Sequence, residues 1–400
     1  MEIILNGQLR DVDGLAEPAS VADLITALGL KGDRIAIEHN GGIVSRTDWA
    51  QTAIHSSDKF EIVHFVGGGS PARSFARPTG AVLLLVFLLG LGGAQAQQSP
   101  QPPLLGPTFT VAGIDATQPL KIVAYGDTRF TRVKDTQNTD PHVRKYLVDQ
   151  IAREKPDAVF MTGDLPFNGD DPDDWAIYRK ESAPWQAEHL RVYPTLGNHD
   201  VRGGWEAGVK NFDATFPELK GYLYYSVQIG NVYLISLDCT EGYPAGSPQR
   251  TWLGSQLEHL PKTVNFVFFL SHMPLYNDLQ SQVMASLPTP AELSLREYIL
   301  SLAPKVDAKM VVLNGHIHNY ERFEGGKVTY IVSGGGGAIP YAIKFRGPED
   351  KYQDPSYPNY HYIVLQIHGK AADATMYRVA DPKADNFRLE VKDEFVLSAP

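Results

Sequence analysis

The sequence lacks the features that define several common protein classes. Its 400 residues include a single cysteine, Cys239, so no disulfide can form within the chain, and both reducing and oxidising compartments remain open. The formal net charge of −10 argues against a general nucleic-acid-binding protein, which usually presents a basic face. We find no convincing internal repeat or long low-complexity tract. The length predicts two or three structural units.

One apolar stretch, in "ARPTGAVLLLVFLLGLGGAQAQ", has about 15 residues, fewer than the ~20 that span a bilayer comfortably. Arg73 and Arg77 precede it, and the small-x-small sequence Ala94–Ala96 follows it, as in a secretory signal peptide. A buried core helix is the alternative interpretation, although the arginines and the Pro/Gln-rich continuation argue against it. We therefore assign residues 70–118 to a signal-peptide-like segment and linker, unusual only in its position inside the chain.

The arginines before this segment also predict its orientation, because basic residues tend to stay on the cytoplasmic side of a membrane. We expect the N-terminal part to be cytoplasmic and the C-terminal part to be exported to the periplasm or secreted. Transient contact with the membrane and its export machinery follows from this prediction.

The residues before the apolar segment have the pattern of a small domain. "MEIILNG" predicts a strand and a turn, and "SVADLITALGL" has helical spacing with Ser20 as its N-cap. "RIAIEHNGGIV" predicts two short strands around an Asn-Gly-Gly turn, and "DKFEIVHFVGGGS" an alternating strand that ends in glycines. This order predicts a ubiquitin-like β-grasp domain over residues 1–69.

From residue 119 to residue 400, strand patterns alternate with helical ones. Such alternation predicts an α/β fold in the form of a sandwich. "QIGNVYL" predicts a hairpin that turns at Gly230 and Asn231, and "GGGG" at residues 334–337 predicts a loop that is flexible or closely approached by other backbone.

Five of the predicted strands end in chemically similar polar residues. The ends are "GD" at Asp127, "GD" at Asp164, "GNHD" at Asn198, His199 and Asp200, "SH" at His272, and "GHIH" at His316 and His318. In an open α/β sheet, the loops at the carboxyl ends of the strands converge on one crevice. We therefore expect six of these side chains to point into a single pocket: Asp127, Asp164, Asn198, His272, His316 and His318.

Carboxylate, amide oxygen and imidazole together suit Mn, Fe, Zn or Co. One carboxylate can bridge two such ions, which then clamp a phosphate, lower the pKa of a bound water and stabilise the leaving oxygen. His199 stands next to Asn198 and could protonate the leaving group.

This set of motifs resembles the calcineurin-like metallophosphoesterases, and "SHMPLYN" and "GHIHNYER" resemble the purple acid phosphatases among them. The resemblance covers roughly residues 120–380. It implies two divalent metal ions, with His199 as acid or phosphate contact and a metal-bound hydroxide as nucleophile. It implies the following metal ligands: Asp127 and His318 on one ion, Asn198, His272 and His316 on the other, and Asp164 bridging.

Two positions depart from the family pattern. Arg129 stands where many members have a histidine, and Phe167 stands where purple acid phosphatases have a metal-binding tyrosine. The first metal ion therefore has fewer protein ligands than either family pattern would give it. Without a bound tyrosinate, we expect no purple charge-transfer colour. Arg129 either binds the substrate phosphate as a bidentate donor or forms a structural salt bridge. We group it with His199 as a candidate catalytic residue.

Residues 1–69 resemble the sulfur-carrier protein of thiazole synthesis in the thiamine pathway. The resemblance implies a C-terminal Gly-Gly carboxylate that an adenylating enzyme activates and that delivers sulfur to a thiazole synthase. Here the tail glycines, Gly68 and Gly69, are followed by Ser70, so carrier function requires cleavage after one of them. A β-grasp domain with a plain glycine linker is the alternative.

The leading hypothesis is a phosphoester hydrolase acting on a small-molecule or other phosphoester. The alternatives are a sulfur carrier with a fused or processed appendage, and a phosphoester-binding module without catalytic activity.

Overall fold

The computed structural model describes residues 1–5, 8–12, 15, 18–28, 35–39, 42–44, 48–56, 58–64, 107–278, 288–343 and 346–400. The chain divides into two compact units, Met1–Leu83 and Leu84–Pro400. The apolar segment, its flanking arginines and the glycines Gly67 to Gly69 lie outside the described residues.

In the residues that the structure describes, the first unit has a small mixed sheet and one helix. Its elements are β1 Glu2–Leu5, β2 Gln8–Asp11, β3 Ala19–Ser20, α1 Val21–Ala27, β4 Ile35–His39, β5 Gly42–Ile43, β6 Ala53–Ile54 and β7 Lys59–His64. Five strands form one sheet in the order β2-β1-β7-β4-β5, and β3 pairs with β6. The first and last strands, β1 and β7, lie side by side and parallel, which is the β-grasp arrangement. Ile3, Leu24 and Phe60 are fully buried between sheet and helix in this small core.

Helix α1 begins where its sequence predicts. The Ser20 hydroxyl accepts the Asp23 backbone N–H, and the Asp23 carboxylate accepts the Ser20 N–H in return. This capping box satisfies two amide groups that the first turn of a helix leaves without partners.

The second unit contains two larger sheets. Its strands are β8 Thr108–Thr110, β9 Leu120–Tyr125, β10 Ala158–Met161, β11 Val192–Pro194, β12 Tyr225–Ile229, β13 Val232–Ser236, β14 Phe266–Leu270, β15 Lys309–Asn314, β16 Tyr320–Gly325, β17 Val328–Ser333, β18 His361–His368, β19 Ala371–Val379 and β20 Leu389–Ser398. Its helices are α2 Pro141–Glu154, α3 Pro172–Glu181, α4 Ala183–Ala187, α5 Trp205–Thr215, α6 Pro248–Glu258 and α7 Pro290–Leu302.

One sheet has the order β11-β10-β9-β18-β19-β20, and the other has the order β16-β17-β15-β14-β13-β12-β8. The two sheets pack face to face, since Phe160 on β10 and Phe268 on β14 contact each other edge to face with ring centroids 5.8 Å apart in a shared core. The second unit is therefore an α/β sandwich, as the alternation of strand and helix patterns predicts.

The ordered sheet begins before the predicted boundary at residue 119. Strand β8 pairs in parallel with β12 through Ser226 and Thr108, and the Thr108 and Ser226 hydroxyls hydrogen-bond each other. The segment from residue 107 to residue 118, predicted as linker, thus contributes an edge strand, which its mixed polar composition did not indicate.

Two turn predictions are confirmed. Strands β12 and β13 pair up to Ile229 and Val232, so Gly230 and Asn231 form the hairpin turn. The four glycines after β17 form a loop that other backbone segments approach closely. A Cβ on Gly336 would lie 2.2 Å from the Gly126 carbonyl oxygen.

Candidate metal centre

The strands that precede the candidate ligands are parallel neighbours within each sheet. Strands β9, β10 and β11 are parallel in the first sheet, and β13, β14 and β15 are parallel in the second. Their carboxyl ends lie at one end of the sandwich, and the predicted site residues follow them directly. The structure brings the candidate ligands Asp127, Asp164, Asn198, His272, His316 and His318 together there, with His199 and Arg129.

The backbone is strained at this edge. Asp127, Arg129, Asp164 and His316 all have φ between 46° and 68°, in the left-handed region that disfavours non-glycine residues. Such conformations persist where the surrounding structure holds them, and they concentrate at functional sites.

The motif glycines allow the ligands to approach one another. A Cβ on Gly197 would lie 2.3 Å from Asp164 Oδ1, and one on Gly315 would lie 2.4 Å from Asp127 Oδ2. No other residue type fits at either position without moving a candidate ligand.

His272 is fully buried, and its two ring nitrogens face different groups. Nδ1 lies 2.8 Å from the Thr162 carbonyl oxygen, so the neutral ring carries its hydrogen on Nδ1 and donates it there. Nε2 then presents a lone pair, yet it lies 3.2 Å from Asp164 Oδ1 and 3.1 Å from Asn198 Oδ1. Three electron-rich atoms therefore converge, and a proton on Nε2 or a metal cation among them relieves their repulsion.

His316 adds a further nitrogen to this cluster. Its Nδ1 lies 3.1 Å from Asn198 Oδ1, the same atom that faces His272. Burial, and then the neighbouring His272, lowers the pKa of His316 to about 3, so the His316 ring is neutral at ordinary pH.

His318, like His272, directs its Nδ1 toward a backbone carbonyl oxygen. Its Nδ1 lies 2.8 Å from the Ile339 carbonyl oxygen, which leaves a lone pair on Nε2. Among the described residues, that buried Nε2 has no hydrogen-bond partner, and it lies 3.5 Å from Asp127 Oδ1. Burial and the charge of Arg129 hold the pKa of His318 well below its usual range, so a proton does not bridge this gap at neutral pH.

The two carboxylates differ in their electrostatic surroundings. Burial, and then the charge of Asp164, raises the pKa of Asp127 well above its usual value. Burial opposes ionisation of Asp164 too, but His272, His199 and Arg129 outweigh it and hold its pKa below the usual range. The raised pKa of Asp127 reflects two buried carboxylates close together, whose joint negative charge a cation would stabilise.

His199 lies at the rim of the cluster. Its Nδ1 lies 2.7 Å from the Phe167 carbonyl oxygen, and its Nε2 lies 4.0 Å from Asp164 Oδ2. Burial lowers its pKa to about 4, against the opposing effect of Asp164. The nitrogen that can exchange a proton with a bound molecule is therefore Nε2.

Arg129 and Phe167 occupy the two positions that depart from the family pattern. The Arg129 Nη2 lies 3.4 Å from Asp164 Oδ2, and its side chain is 12% exposed. Phe167 packs against His199 with ring centroids 5.4 Å apart, and its side chain carries no atom that could bind a metal. No phenol therefore reaches the centre from this loop.

Two residues with a place in the site were given no role by the sequence analysis. Asp200 is buried and accepts the backbone N–H groups of Asp164, Leu165 and Gly197 at 2.7 to 3.1 Å, which fixes two ligand loops against each other. Its position in "GNHD" was a usable signal. Tyr341 stacks on the His318 ring with centroids 4.2 Å apart, and nothing in its local sequence indicated this.

The donors present fit a divalent metal. Asp127, Asp164 and His272 offer ligand atoms that all lie within 4.8 Å of one another. The buried Nε2 of His318, which has no hydrogen-bond partner among the described residues, and the two histidine nitrogens that face Asn198 Oδ1 fit such a cation.

Carboxylate, amide and imidazole donors on strand-end loops of two packed sheets are the arrangement of a metallophosphoesterase. The model of the calcineurin-like phosphoesterase family matches residues 120–320, slightly more than half of the chain, and the chain belongs to this family. The ThiS family model matches residues 3–69. Both family resemblances and the fold class predicted from the sequence are thus confirmed.

Individual relatives agree with this division. Purple acid phosphatase 1 of Ipomoea batatas is 28% identical over 188 residues, which are 42% of this chain and 37% of that protein. A thiazole synthase of Paramagnetospirillum magneticum is 33% identical over 92 residues, 23% of this chain and 28% of that protein. The chain thus spans well under two thirds of the length of either relative.

The fold has a counterpart among solved structures. The purple acid phosphatase PPD1 from yellow lupin (Lupinus luteus) seeds superposes with a TM-score of 0.57 over 71% of this chain and 55% of that chain, at 18% identity. This likeness shows a common fold.

The remaining predictions concern segments beyond this site. The sulfur-carrier tail, Gly68 and Gly69, and the signal-peptide-like stretch lie outside the described residues, so both stay predictions. In the part of the chain that the structure describes, no helix combines the length and apolar character that crossing a membrane requires.

Proposed function

We propose that the unit Leu84–Pro400 is a hydrolase of phosphoesters that depends on two divalent metal ions. The observation that carries this proposal is that His272 Nε2 lies 3.2 Å from Asp164 Oδ1 and 3.1 Å from Asn198 Oδ1, so that three potential ligand atoms meet. Membership of the calcineurin-like phosphoesterase family supports the reaction class.

The residues divide between two metal positions. Asn198, His272 and His316 would hold one ion, Asp127 and His318 the other, and Asp164 lies next to both sets. Bound divalent ions of the Mn, Fe, Zn or Co type would neutralise phosphate charge and acidify a water molecule.

Residues of the chain itself orient the ester. Arg129 presents a guanidinium that can donate two parallel hydrogen bonds to a phosphate. His199, with Nδ1 bonded to the Phe167 carbonyl, can hold a proton on Nε2 and transfer it to the leaving oxygen of the ester. Four of the predicted ligands, Asp127, Asp164, His272 and His318, are buried, whereas Asn198 and His316 are partly exposed.

The test is turnover of an aryl phosphate by the full chain, stripped with a chelator and then titrated with Mn²⁺. We expect hydrolysis only with added metal, and none for His272→Ala under the same conditions. Metal binding and phosphate binding without turnover would instead indicate a binding module.

A second function is supported for the first unit. Its match to the ThiS family and its β-grasp sheet favour a sulfur carrier, which would work with an adenylating enzyme and a thiazole synthase. Residues 1–69 with a free Gly69 carboxylate should gain the mass of a thiocarboxylate when incubated with such an adenylating enzyme, ATP and a sulfur source. The matched fragment 1–70, which ends in Ser70, should not.

We also propose that the second unit is exported and the first remains cytoplasmic. The arginines, apolar run and "AQA" sequence at residues 73–96 support this proposal. Cell fractionation with N-terminal sequencing should recover an exported species that begins near Gln97. Recovery of only an intact cytoplasmic chain would contradict it.

A further inference from the structure

Arg129 places a permanent positive charge inside the candidate metal centre. Its Nη2 contacts Asp164 Oδ2 at 3.4 Å, and its buried Nε has no hydrogen-bond partner among the described residues. The backbone of Arg129 has a φ of 46°, which is strained for a residue with a side chain. The surrounding fold therefore holds this arginine in place against both a backbone and a desolvation cost.

The two oxygens of Asp164 have different side-chain neighbours. Oδ1 lies 3.2 Å from His272 Nε2, on the side where Asn198 also points. Oδ2 faces Arg129. A metal ion bound to His272 and Asp164 Oδ1 does not compete with an arginine for that oxygen. A metal ion bound to Asp164 Oδ2 must share that oxygen with the Arg129 guanidinium.

The two sides also differ in the number of donors. Beyond Asp164, the first side has the Asn198 oxygen and the nitrogens of His272 and His316. Among the described residues, the second side has two of the predicted ligands, Asp127 and His318, whose facing atoms are 3.5 Å apart. Fewer donors and a nearby like charge act in the same direction, because repulsion between cations is strong where water is excluded.

We propose that Arg129 makes the two metal positions unequal, so that the ion at Asn198, His272 and His316 binds at least about tenfold more tightly than the ion at Asp127 and His318. At low free metal the chain then holds one ion, and the guanidinium supplies the positive charge on the other side. This inference rests on the proposed function only in assigning these residues to a metal centre, and it does not depend on turnover.

The test is a binding isotherm of Mn²⁺ for the chelator-stripped full chain, measured by equilibrium dialysis with elemental analysis. We expect two steps in the wild type, separated by at least about a factor of ten. Arg129→Met removes the charge at similar length and should bring the steps together, whereas Arg129→Lys keeps the charge and should leave them apart.

Two further variants assign the steps. His318→Ala should abolish only the weak step, and His272→Ala should abolish the tight one. They also keep the inference testable if Arg129→Met fails to fold, because folding of each variant is checked by thermal unfolding.

Two wild-type ions of equal affinity, no binding at all, or identical isotherms for Arg129→Met and Arg129→Lys would overturn the inference. Loss of the tight step in His318→Ala would overturn it as well. Two separated steps in a chain that hydrolyses no phosphoester would leave the inference standing and contradict the proposed function alone.

Discussion

Two buried aspartates follow strands at the same end of the sandwich, and their surroundings differ completely. Asp164, after β10, is surrounded by His272, His199 and Arg129, which hold its pKa below the usual range against the effect of burial. Asp238, after β13, instead accepts the backbone N–H and the hydroxyl of Thr240 at 2.8 and 2.7 Å, and burial raises its pKa to about 6.

The difference shows that a carboxylate at a strand end does not by itself make a metal ligand. Asp164 is preceded by Gly163, whose φ of 94° and missing Cβ let the chain turn and let His272 approach. Asp238 is preceded by the buried Leu237 and has no histidine contact among the described residues. Its carboxylate closes a local turn.

Substitution of the two aspartates should give the largest contrast. Asp164→Ala is expected to lose both metal ions and turnover, since its carboxylate borders both metal positions. Asp238→Asn should keep both, because it touches neither position. Elemental analysis and aryl phosphate turnover measure this, and about two ions per chain in Asp164→Ala would refute the bridging role.

A second contrast separates two histidines with similar hydrogen bonds. His199 and His272 each direct Nδ1 to a backbone carbonyl, but Nε2 is 4.0 Å from an Asp164 oxygen in His199 and 3.2 Å in His272. His199→Ala should therefore retain its metals and lose on the order of 10²–10⁴ in turnover.

The pattern of that loss identifies the role of His199. For a proton donor, the loss should shrink with substrates whose leaving groups need little protonation, as a series of substituted aryl phosphates would reveal. An equal loss across the series would point to phosphate positioning.

A third contrast concerns two glycines. A Cβ on Gly315 would press against Asp127 Oδ2 at 2.4 Å, whereas one on Gly204 would meet its nearest atom at 3.9 Å. Gly315→Ala should weaken metal binding about 10- to 100-fold by displacing a ligand, as disturbed ligand orientation typically does. Gly204→Ala should bind metal like the wild type, and a dialysis isotherm for each variant tests the pair.

The last expected effect is on stability alone and involves Asp238. Its pKa is about 6 in the folded chain against an ordinary 3.8, so the folded state binds more protons than the unfolded state between these values. Stability from this group is complete below pH 3.8 and is lost as the pH rises through 6, by up to about 3 kcal/mol. Asp238→Asn should remove this loss, and its melting temperature relative to wild type should rise between pH 4 and pH 7. If the difference in melting temperature between Asp238→Asn and the wild type stayed constant over this pH range, Asp238 would not titrate in the folded state.

Most of the residues that meet at the candidate metal centre could be predicted, because they belong to short motifs at strand ends. "GD", "GNHD" and "GHIH" each join a turn-forming glycine to a ligand, so backbone geometry and donor identity are encoded together. The hairpin at Gly230 and Asn231 and the cap at Ser20 are equally local, and both were predictable for that reason.

The parts that escaped prediction depend on distant contacts. Tyr341 stacks on His318 although two strands and a glycine loop separate them in the sequence. Strand β8 is short and polar, and only its pairing with β12 places it in the sheet. The contact between Arg129 and Asp164 joins two loops, and local sequence could not choose between a salt bridge and a free phosphate-binding side chain.

The central claim is that a metal cation lies among Asp164, Asn198 and His272, and anomalous diffraction from crystals grown with Mn²⁺ tests it most directly. The account predicts a strong anomalous peak within coordination distance of Asp164 Oδ1, Asn198 Oδ1 and His272 Nε2, with a weaker one near Asp127 and His318. A map without a peak at the first position at saturating Mn²⁺, with His272 Nε2 hydrogen-bonded directly to Asp164, would contradict it.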